Sequence, residues 1–416
     1  MARKRYRKDV LVFRFCTCHA WYNLRRMDVY DYYSRFFVLF LFLKHKIKRV
    51  MFLKHRYGKI LTLLIVILAL FGVVMIYSAS SIWAEYKFDN PYKFMTSQAI
   101  FLAIGLFVMY IVSKIDYKIY YKKANLILLS CLILLVLVLI PGIGSVRNGS
   151  RSWFGIGGFG IQPSEIAKIG LIIFTAKYLS KNEKEMRNIK TGILPILGVI
   201  MVFFILIMLE PDFGTAMVIV MTLIVMIFIS NAKISFFMGI GITGLIGIVA
   251  LIIIAPYRIA RIVSFLNPWS DPLGSGFQII QSLYAIGPGG LLGMGFMNSR
   301  QKYFYLPEPQ TDFIFSIISE EFGFLGVLIV CSLFFAIFYF SMKVFFKTDN
   351  LFGKYLVFGL SFEIILQALL NLCVVVGLVP VTGVTLPFLS YGGSSLMVSL
   401  IFIGIILSVL NYDRKK

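Results

Sequence analysis

The acidic residues of this sequence that could take part in acid–base chemistry lie at the ends of long apolar segments. Asp312 directly follows the stretch 305–311, which contains two prolines, and precedes an apolar run in which Glu320 and Glu321 come two turns later. A carboxylate that is partly buried beside basic loops is suited to act as a general base. The alternative is that Asp312 only caps the helix that begins there.

Two further sets of charges lie at breaks between apolar segments. Glu165 and Lys168 are three residues apart and follow Pro163, a residue favoured in the first turn of a helix. At this spacing the two side chains share a helix face, where they could fix helix packing or meet a ligand. Asp212 lies at another break and is predicted to cap a helix, with Thr215 in the capping-box position.

Further polar groups are concentrated towards the C-terminus. Glu363, Gln367 and Asn371 recur every four residues on one apolar segment. This spacing indicates interhelical hydrogen bonds first and a ligand site second. The stretch 380–395, which includes Ser390, is rich in hydroxyls and glycine and suits a loop that binds sugar or phosphate oxygens.

Composition determines the kind of element that must position these groups. The chain has 416 residues, of which 59% are hydrophobic and only 14% charged, whereas soluble proteins are about 45–50% apolar. Since a spanning helix needs about 20 apolar residues, we predict an all-α polytopic membrane protein with ten transmembrane helices. The predicted spans are 60–80, 94–113, 124–141, 163–180, 191–209, 213–230, 234–255, 312–342, 354–378 and 387–411.

The distribution of basic residues predicts the orientation in the membrane. The net charge is +22, but 16 of the 41 Lys and Arg residues lie within 1–59 and most others fall in alternate loops. This is the positive-inside pattern, so both termini are predicted to be cytoplasmic and a nucleic-acid partner is not expected. Residues 1–57 are predicted to be a basic, poorly ordered extension, and 58–416 to be the membrane domain. All three histidines lie in the extension, which excludes a histidine-based catalytic triad from the membrane domain.

Eight basic residues fall in the predicted outer loops, against that bias. Six of them are in two loops: Arg147 and Arg151 in 141–162, and Arg258, Arg261, Arg300 and Lys302 in 256–311. The second loop joins spans seven and eight and is the longest on that side, and loops of such length tend to be functional. Its middle, 278–286, is predicted to form a short interfacial helix. The basic residues indicate an anionic ligand on the outer face, with phosphate the leading candidate.

The same stretches resemble a known family. GSRSWFGIGGFGIQPSE, EPDFGT, NPWSDPLGSGFQIIQSLYA, LPEPQTDFIF and PVTGVTLPFLSYGGSS are similar to motifs of the shape, elongation, division and sporulation (SEDS) family, and most similar to its FtsW/SpoVE branch. The resemblance covers about 60–416. Two features depart from the family pattern: the basic extension and Glu363, where an apolar residue is expected.

The resemblance implies an inverting peptidoglycan glycosyltransferase that polymerises lipid II on the outer face of the bacterial cell membrane. It implies that Asp312 is catalytic, that Trp153 is the important loop tryptophan, and that Glu165, Lys168 and Asp212 line a central cavity. It also implies a class B penicillin-binding protein, with other division or sporulation membrane proteins, as partners at the septum or forespore. The candidate substrate-binding residues are Arg151, Trp153, Glu165, Lys168, Asp212, Arg258, Arg261, Gln310 and Ser390.

Several points stay open on the sequence. A divalent cation, Mg²⁺ or Mn²⁺, is a candidate helper for the leaving pyrophosphate, and no organic cofactor is expected. Two rival functions are a flippase that moves lipid II across the membrane and a scaffold that only positions the transpeptidase. The clustering of basic residues on one side, with a single lysine inside the membrane, favours chemistry on one face over two-sided access.

Overall fold

The computed structural model describes residues 29–147, 150–156, 159–239, 241–242, 244, 265–274 and 276–413. Side chains are described within these ranges from residue 56 onward, except those of 147, 156 and 159. The chain divides into two compact units, Met1–Arg56 and Tyr57–Lys416. Every candidate site residue lies in the second unit. The description of residues 1–57 as a poorly ordered extension stays a prediction.

The described part of the chain is mainly helical. The helices are α1 (Val29–Phe88), α2 (Lys93–Lys114), α3 (Lys118–Leu139), α4 (Pro163–Lys181), α5 (Leu194–Leu209), α6 (Phe213–Phe228), α7 (Phe277–Ile286), α8 (Ile314–Lys347), α9 (Leu351–Val375) and α10 (Gly393–Tyr412). Seven helices in the described ranges are long and apolar enough to cross a membrane, and α6 is a shorter apolar helix. The chain is therefore a multi-pass membrane protein.

The predicted spans agree with these helices except at a few ends. The span predicted from 387 begins instead at Gly393, because 386–392 is a non-helical loop that Gln98 of α2 holds through hydrogen bonds to Ser390 and Gly392. The span predicted for 234–255 lies largely outside the described residues, so the count of ten stays a prediction. The short helix predicted for 278–286 is present as α7.

Helix α9 lies at the centre of the packing. It contacts α4, α6, α7, α8 and α10, and most of its apolar stretch is buried inside the protein. The polar side chains of α9 consequently face other helices rather than lipid, which is where polar groups in a membrane find partners. This position allows one helix to connect groups from the fourth and sixth helices with the loops around Asp312.

A small sheet replaces part of the glycine-rich loop predicted for 141–162. Strands β1 (Ser145–Arg147), β2 (Ser150–Ile156) and β3 (Phe159–Ile161) form an antiparallel sheet in the order β1-β2-β3. Arg147 pairs with Ser150, and the two residues between them in the sequence are Asn148 and Gly149. An Asn-Gly pair is a strong hairpin signal, so the sequence contained the information for this hairpin.

The segment 289–295 is bound along the start of α8. The backbone N–H groups of Met294 and Gly295 donate to the carbonyl oxygens of Glu320 and Glu321 at 2.9 and 3.0 Å. Gly323 interrupts the helix with a φ of 61° and a ψ of −158°, a conformation that is essentially restricted to glycine. A Cβ there would lie 2.4 Å from the amide nitrogen of Gly293. The glycine thus permits the close approach that anchors this segment along α8.

Candidate functional site

Asp312 lies in the loop just before α8 and does not cap that helix. The helix begins at Ile314, its N-cap residue is Phe313, and no side chain caps it. The capping alternative for Asp312 is therefore wrong. The side chain is half-buried, and its Oδ1 accepts a hydrogen bond of 2.9 Å from Thr311 Oγ1. The Asp312 carboxylate is therefore not used to cap a helix and is available for chemistry.

The environment of Asp312 makes it a stronger base. Burial raises the pKa of its carboxyl above the ordinary value, and the nearby charge of Glu308 acts in the same direction. The hydrogen bond from Thr311 opposes this shift by stabilising the charged form. A carboxylate with a raised pKa accepts a proton more readily, which is the property that a general base needs near neutral pH.

Asn371 and Gln310 join three segments around Asp312. Asn371 Nδ2 donates to the backbone oxygens of Asp312 and Val384 at 2.7 and 2.8 Å. The amide of Tyr391 donates to the backbone oxygen of Gln310 at 2.8 Å. The end of α9, the stretch 306–313 and the stretch 382–392 therefore meet here, and we call these three segments the Asp312 cluster.

The Asp312 cluster contains buried acceptors that have not found a donor. Gln310 Oε1 and Asn371 Oδ1 are inaccessible to solvent and have no hydrogen-bond partner in the described part of the chain. Buried polar atoms are nearly always hydrogen-bonded in native proteins, so each exception requires an explanation. Two free carbonyl acceptors beside a basic carboxylate suit a ligand that carries hydroxyl groups.

Ser390 stabilises the loop 386–392 of the same cluster. It is buried, and its Oγ accepts a hydrogen bond of 2.8 Å from the amide of Leu386. Its backbone oxygen accepts a hydrogen bond of 3.1 Å from Gln98 Nε2 on α2. These contacts hold the loop before α10 in shape, so the observed position of Ser390 is that of a loop brace.

Lys168 lies among acceptors from two helices. Its Nζ is 3.1 Å from Glu165 Oε1, which confirms the predicted ion pair on α4. It also donates to Gln367 Oε1 on α9 at 2.7 Å and lies 3.7 Å from Glu363 Oε1. Only 1% of Lys168 is exposed. Two of the three N–H donors of its ammonium bond to Glu165 and Gln367, and Glu363 lies within ion-pair distance, so Lys168 joins α4 to α9 in the observed arrangement.

Asp212 caps α6 as predicted and also binds the start of α4. Its Oδ1 accepts a hydrogen bond of 3.2 Å from the amide of Thr215. Its Oδ2 accepts hydrogen bonds from Gln162 Nε2 at 2.8 Å and Ser164 Oγ at 3.1 Å. The carboxylate therefore links the entrances of two helices, and both of its oxygens are engaged.

Arg151 and Trp153 lie on β2, and both are half-buried. The Ser150 hydroxyl donates to the backbone oxygen of Glu210, which attaches the sheet to the break before α6. Arg258 and Arg261 lie outside the described residues, so their place in the site stays a prediction. The structure brings Arg151 and Trp153 to the same end of the bundle as Asp212.

The interpretation of Lys302 as an outer ligand-binding cation is not supported by its surroundings. Lys302 is 3% exposed, donates to the Met297 backbone oxygen at 2.5 Å and lies 3.5 Å from Glu321 Oε1. Burial lowers its pKa. The same Glu321 oxygen accepts a hydrogen bond of 2.5 Å from Ser78. Lys302 thus holds 297–302 against α8, and Glu321 in turn connects α8 to α1, while Arg300 in the same segment is exposed.

Glu210 is a buried acid that sequence reasoning passed over. It is 0% exposed, and neither side-chain oxygen has a hydrogen-bond partner in the described part of the chain. Burial, together with the charge of Asp212, raises the pKa of Glu210 from its ordinary 4.5 to about 9. A carboxylate at the end of an uninterrupted apolar run was the signal available in the sequence, because such a position favours burial.

Glu210 is expected to make stability depend on pH. The folded protein keeps the Glu210 proton up to about pH 9, whereas the unfolded chain loses it near its ordinary pKa. The unfolded state therefore binds fewer protons, and stability falls as pH rises from about 5 to about 9. Replacing Glu210 with glutamine removes this contribution. The midpoint temperature of thermal unfolding should therefore fall less steeply with rising pH in Glu210→Gln than in the wild type.

A matched control for this measurement is Glu85→Gln, because Glu85 is exposed. This variant should follow the wild-type pH profile. If Glu210→Gln showed the same pH slope as the wild type, the buried protonated state of Glu210 would be contradicted.

The membrane domain that contains this site matches a known family. A family model for the FtsW/RodA/SpoVE cell cycle proteins matches residues 59–415 of this chain. The chain belongs to the FtsW/RodA/SpoVE family. The match includes Asp312, Lys168, Asp212 and the whole Asp312 cluster, and it begins close to the boundary between the two compact units.

Individual members of the FtsW/RodA/SpoVE family cover the same region. The chain is 50% identical over 355 residues to stage V sporulation protein E of Bacillus subtilis, covering 85% of this chain and 97% of that protein. It is 41% identical over 353 residues to a probable peptidoglycan glycosyltransferase FtsW of a Geobacter species, covering 85% and 96%. The resemblance to the FtsW/SpoVE branch is thereby confirmed.

Solved structures of the family share this fold. A chain from a peptidoglycan synthase complex that coordinates polymerization and crosslinking has a TM-score of 0.71 and 29% identity, covering 86% of this chain and 98% of its own. The rod shape determining protein RodA of Thermus thermophilus has a TM-score of 0.62 and 26% identity, covering 86% and 97%. The polytopic helical architecture predicted from composition is therefore confirmed.

Proposed function

We propose that this protein is a peptidoglycan glycosyltransferase that polymerises lipid II on the outer face of the cell membrane. The observation that carries the proposal is the Asp312 cluster: a half-buried carboxylate with a raised pKa, beside two buried acceptors that lack donors. Relatives named as peptidoglycan glycosyltransferases support the same activity. Both termini are then cytoplasmic, in keeping with the positive-inside pattern.

The proposed chemistry is a single inverting displacement. Asp312 accepts the proton of the 4-hydroxyl of the GlcNAc residue on one lipid-linked substrate. That oxygen attacks the anomeric carbon of the other substrate, the bond from this carbon to the pyrophosphate oxygen breaks, and undecaprenyl pyrophosphate leaves. A correctly placed general base contributes about 10²- to 10⁴-fold to the rate of such a step.

Several candidate residues are assigned different parts in the proposed reaction. Gln310 and Asn371 would accept hydrogen bonds from sugar hydroxyls, because their free carbonyl oxygens lie in the Asp312 cluster. Arg151, with Arg258 and Arg261, would stabilise the departing pyrophosphate, since guanidinium groups bind phosphate through paired hydrogen bonds. Lys168, Asp212 and Ser390 are assigned indirect roles in substrate binding, because their side chains already bond to neighbouring residues.

We also consider whether a divalent cation takes part at the site. Within the described residues, no group of three or more His, Cys, Asp or Glu side chains could hold a metal ion. Mg²⁺ is commonly bound by one or two carboxylates together with substrate phosphates. The residues seen here do not form a metal centre by themselves, so no step of the proposed reaction is assigned to a metal.

We further propose a class B penicillin-binding protein as the partner. A relative of this fold was solved in a peptidoglycan synthase complex that couples polymerization to crosslinking. A transpeptidase beside the outer end of the bundle would receive the nascent glycan as it forms. Resemblance to a sporulation protein and to FtsW proteins favours the septum or the forespore membrane as the location.

The deciding experiment uses the purified full chain and lipid II, with and without a class B penicillin-binding protein. Glycan strands should form, and the partner should increase their yield. A parallel assay measures translocation of fluorescent lipid II across liposomes that contain the protein. Translocation without polymer would overturn the glycosyltransferase proposal in favour of a flippase, and neither translocation nor polymer would favour a scaffold.

A further inference from the structure

Glu363 is a buried carboxylate within the membrane domain that the proposed reaction does not use. It lies in the middle of α9, and only 1% of the residue is exposed. A charged side chain at such a depth is costly, so its retention calls for a specific partner. Two partners are present, and they come from two other helices.

The contacts of Glu363 join α4, α6 and α9. Its Oε2 accepts a hydrogen bond of 2.5 Å from Thr222 Oγ1 on α6. Its Oε1 has no hydrogen-bond partner in the described part of the chain and lies 3.7 Å from Lys168 Nζ. Lys168 therefore has two carboxylates beside it, Glu165 from its own helix and Glu363 from α9. In a medium of low dielectric, this second carboxylate attracts the ammonium towards α9 strongly.

The same ammonium orients a side chain that leads to the Asp312 cluster. Lys168 Nζ donates to Gln367 Oε1 at 2.7 Å, which leaves the amide end of Gln367 facing Thr385. Gln367 Nε2 donates to the backbone oxygen of Thr385 at 2.9 Å. One turn further along α9, Asn371 holds the backbone oxygens of Val384 and Asp312. A continuous series of hydrogen bonds and ion pairs thus runs from Glu363 through Lys168 and Gln367 to Thr385.

We propose that Glu363 is a positioning residue: its charge holds Lys168 where Lys168 orients Gln367, and Gln367 fixes Thr385 in the 382–392 stretch of the Asp312 cluster. Glu363 does not touch substrate and acts only through these neighbours. The inference rests on the proposed glycosyltransferase function for its effect on rate. Its effect on the loop is independent of that function.

The test compares Glu363→Gln with wild type in two measurements. Glutamine keeps the size of the side chain and an oxygen for the Thr222 hydroxyl, but it removes the charge that attracts Lys168. Polymerisation by Glu363→Gln should show kcat lowered roughly 10- to 100-fold with KM little changed, since small misplacements of a site have effects of this size. Hydrogen exchange of the 382–392 amides should become faster. The matched control is Ser361→Ala on α9, because the Ser361 hydroxyl bonds only to backbone of its own helix.

A double-mutant cycle shows whether Glu363 acts through Lys168. In a Lys168→Met background, adding Glu363→Gln should lower kcat no further, because the group on which the charge acts is absent. Additive losses would overturn the inference, as would wild-type kcat in Glu363→Gln. If the wild type itself made no polymer, the proposed function would fail. Hydrogen exchange would then still decide the inference, and unchanged exchange at 382–392 would refute it.

Discussion

Replacing Asp312 with asparagine is expected to lower the rate of glycan polymerisation by about 10²- to 10⁴-fold. Asparagine has nearly the same shape, and the backbone oxygen that receives Asn371 Nδ2 is unchanged. The Thr311 hydroxyl can still donate to a side-chain oxygen at this position. The variant should therefore fold normally and lose only the ability to accept a proton. The measurement is polymer formation from purified lipid II, with thermal unfolding as the check on folding.

The pH dependence of the wild type gives a second readout of the same residue. Only the ionised form of Asp312 accepts a proton, and burial raises its pKa above the ordinary value. Activity should consequently fall as pH is lowered through this raised pKa, at a higher pH than an exposed aspartate would produce. The control is Asp349→Asn, the same chemical change at an exposed position on another loop. Polymer formed by Asp312→Asn at the wild-type rate would refute the assignment of the general base.

Replacing Lys168 with methionine is expected to destabilise the fold by about 3–5 kcal/mol. Methionine fills a similar volume, but it leaves Glu165 and Glu363 buried beside each other without a cation. Removing one partner of a buried ion pair leaves an uncompensated charge, and here two carboxylates share one partner. The free energy of unfolding in detergent or nanodiscs measures the loss. Polymerisation should fall as well, because Gln367 loses the donor that orients it.

The double variant Lys168→Met with Glu363→Leu separates charge from packing. Leucine removes one of the two unpaired carboxylates, so the double variant should recover part of the stability that Lys168→Met loses. Activity is not expected to recover with it. Lys181→Met is the control, since Lys181 is exposed at the end of the same helix. If Lys168→Met unfolded at the wild-type temperature, the ion-pair cluster would have no role in stability.

The helices could be predicted from the sequence because hydrophobic runs of the length of a bilayer are a strong local signal. The Asp212 cap and the Glu165–Lys168 pair were also predictable, because both depend on residues three positions apart. The start of the last helix was not. Its apolar pattern extends back to 387, but the loop up to Gly392 is held by Gln98 from a distant helix.

The residues of the candidate site likewise fall into those that the local sequence predicted and those whose partners come from distant parts of the chain. The sequence by itself determined that the protein is multi-pass and that Asp312 stands where a long apolar helix is about to begin, since composition and local spacing carry this information. Only the tertiary structure showed that Lys168 and Lys302 form ion pairs with buried carboxylates. It also showed that the side-chain oxygens of Gln310 and Asn371 have no hydrogen-bond donor in the described part of the chain. The physical reason is that a charge in a sequence has no partner until the helices pack. Whether a lysine meets a ligand or a glutamate depends on residues as far away as Glu363, which no local pattern connects to it.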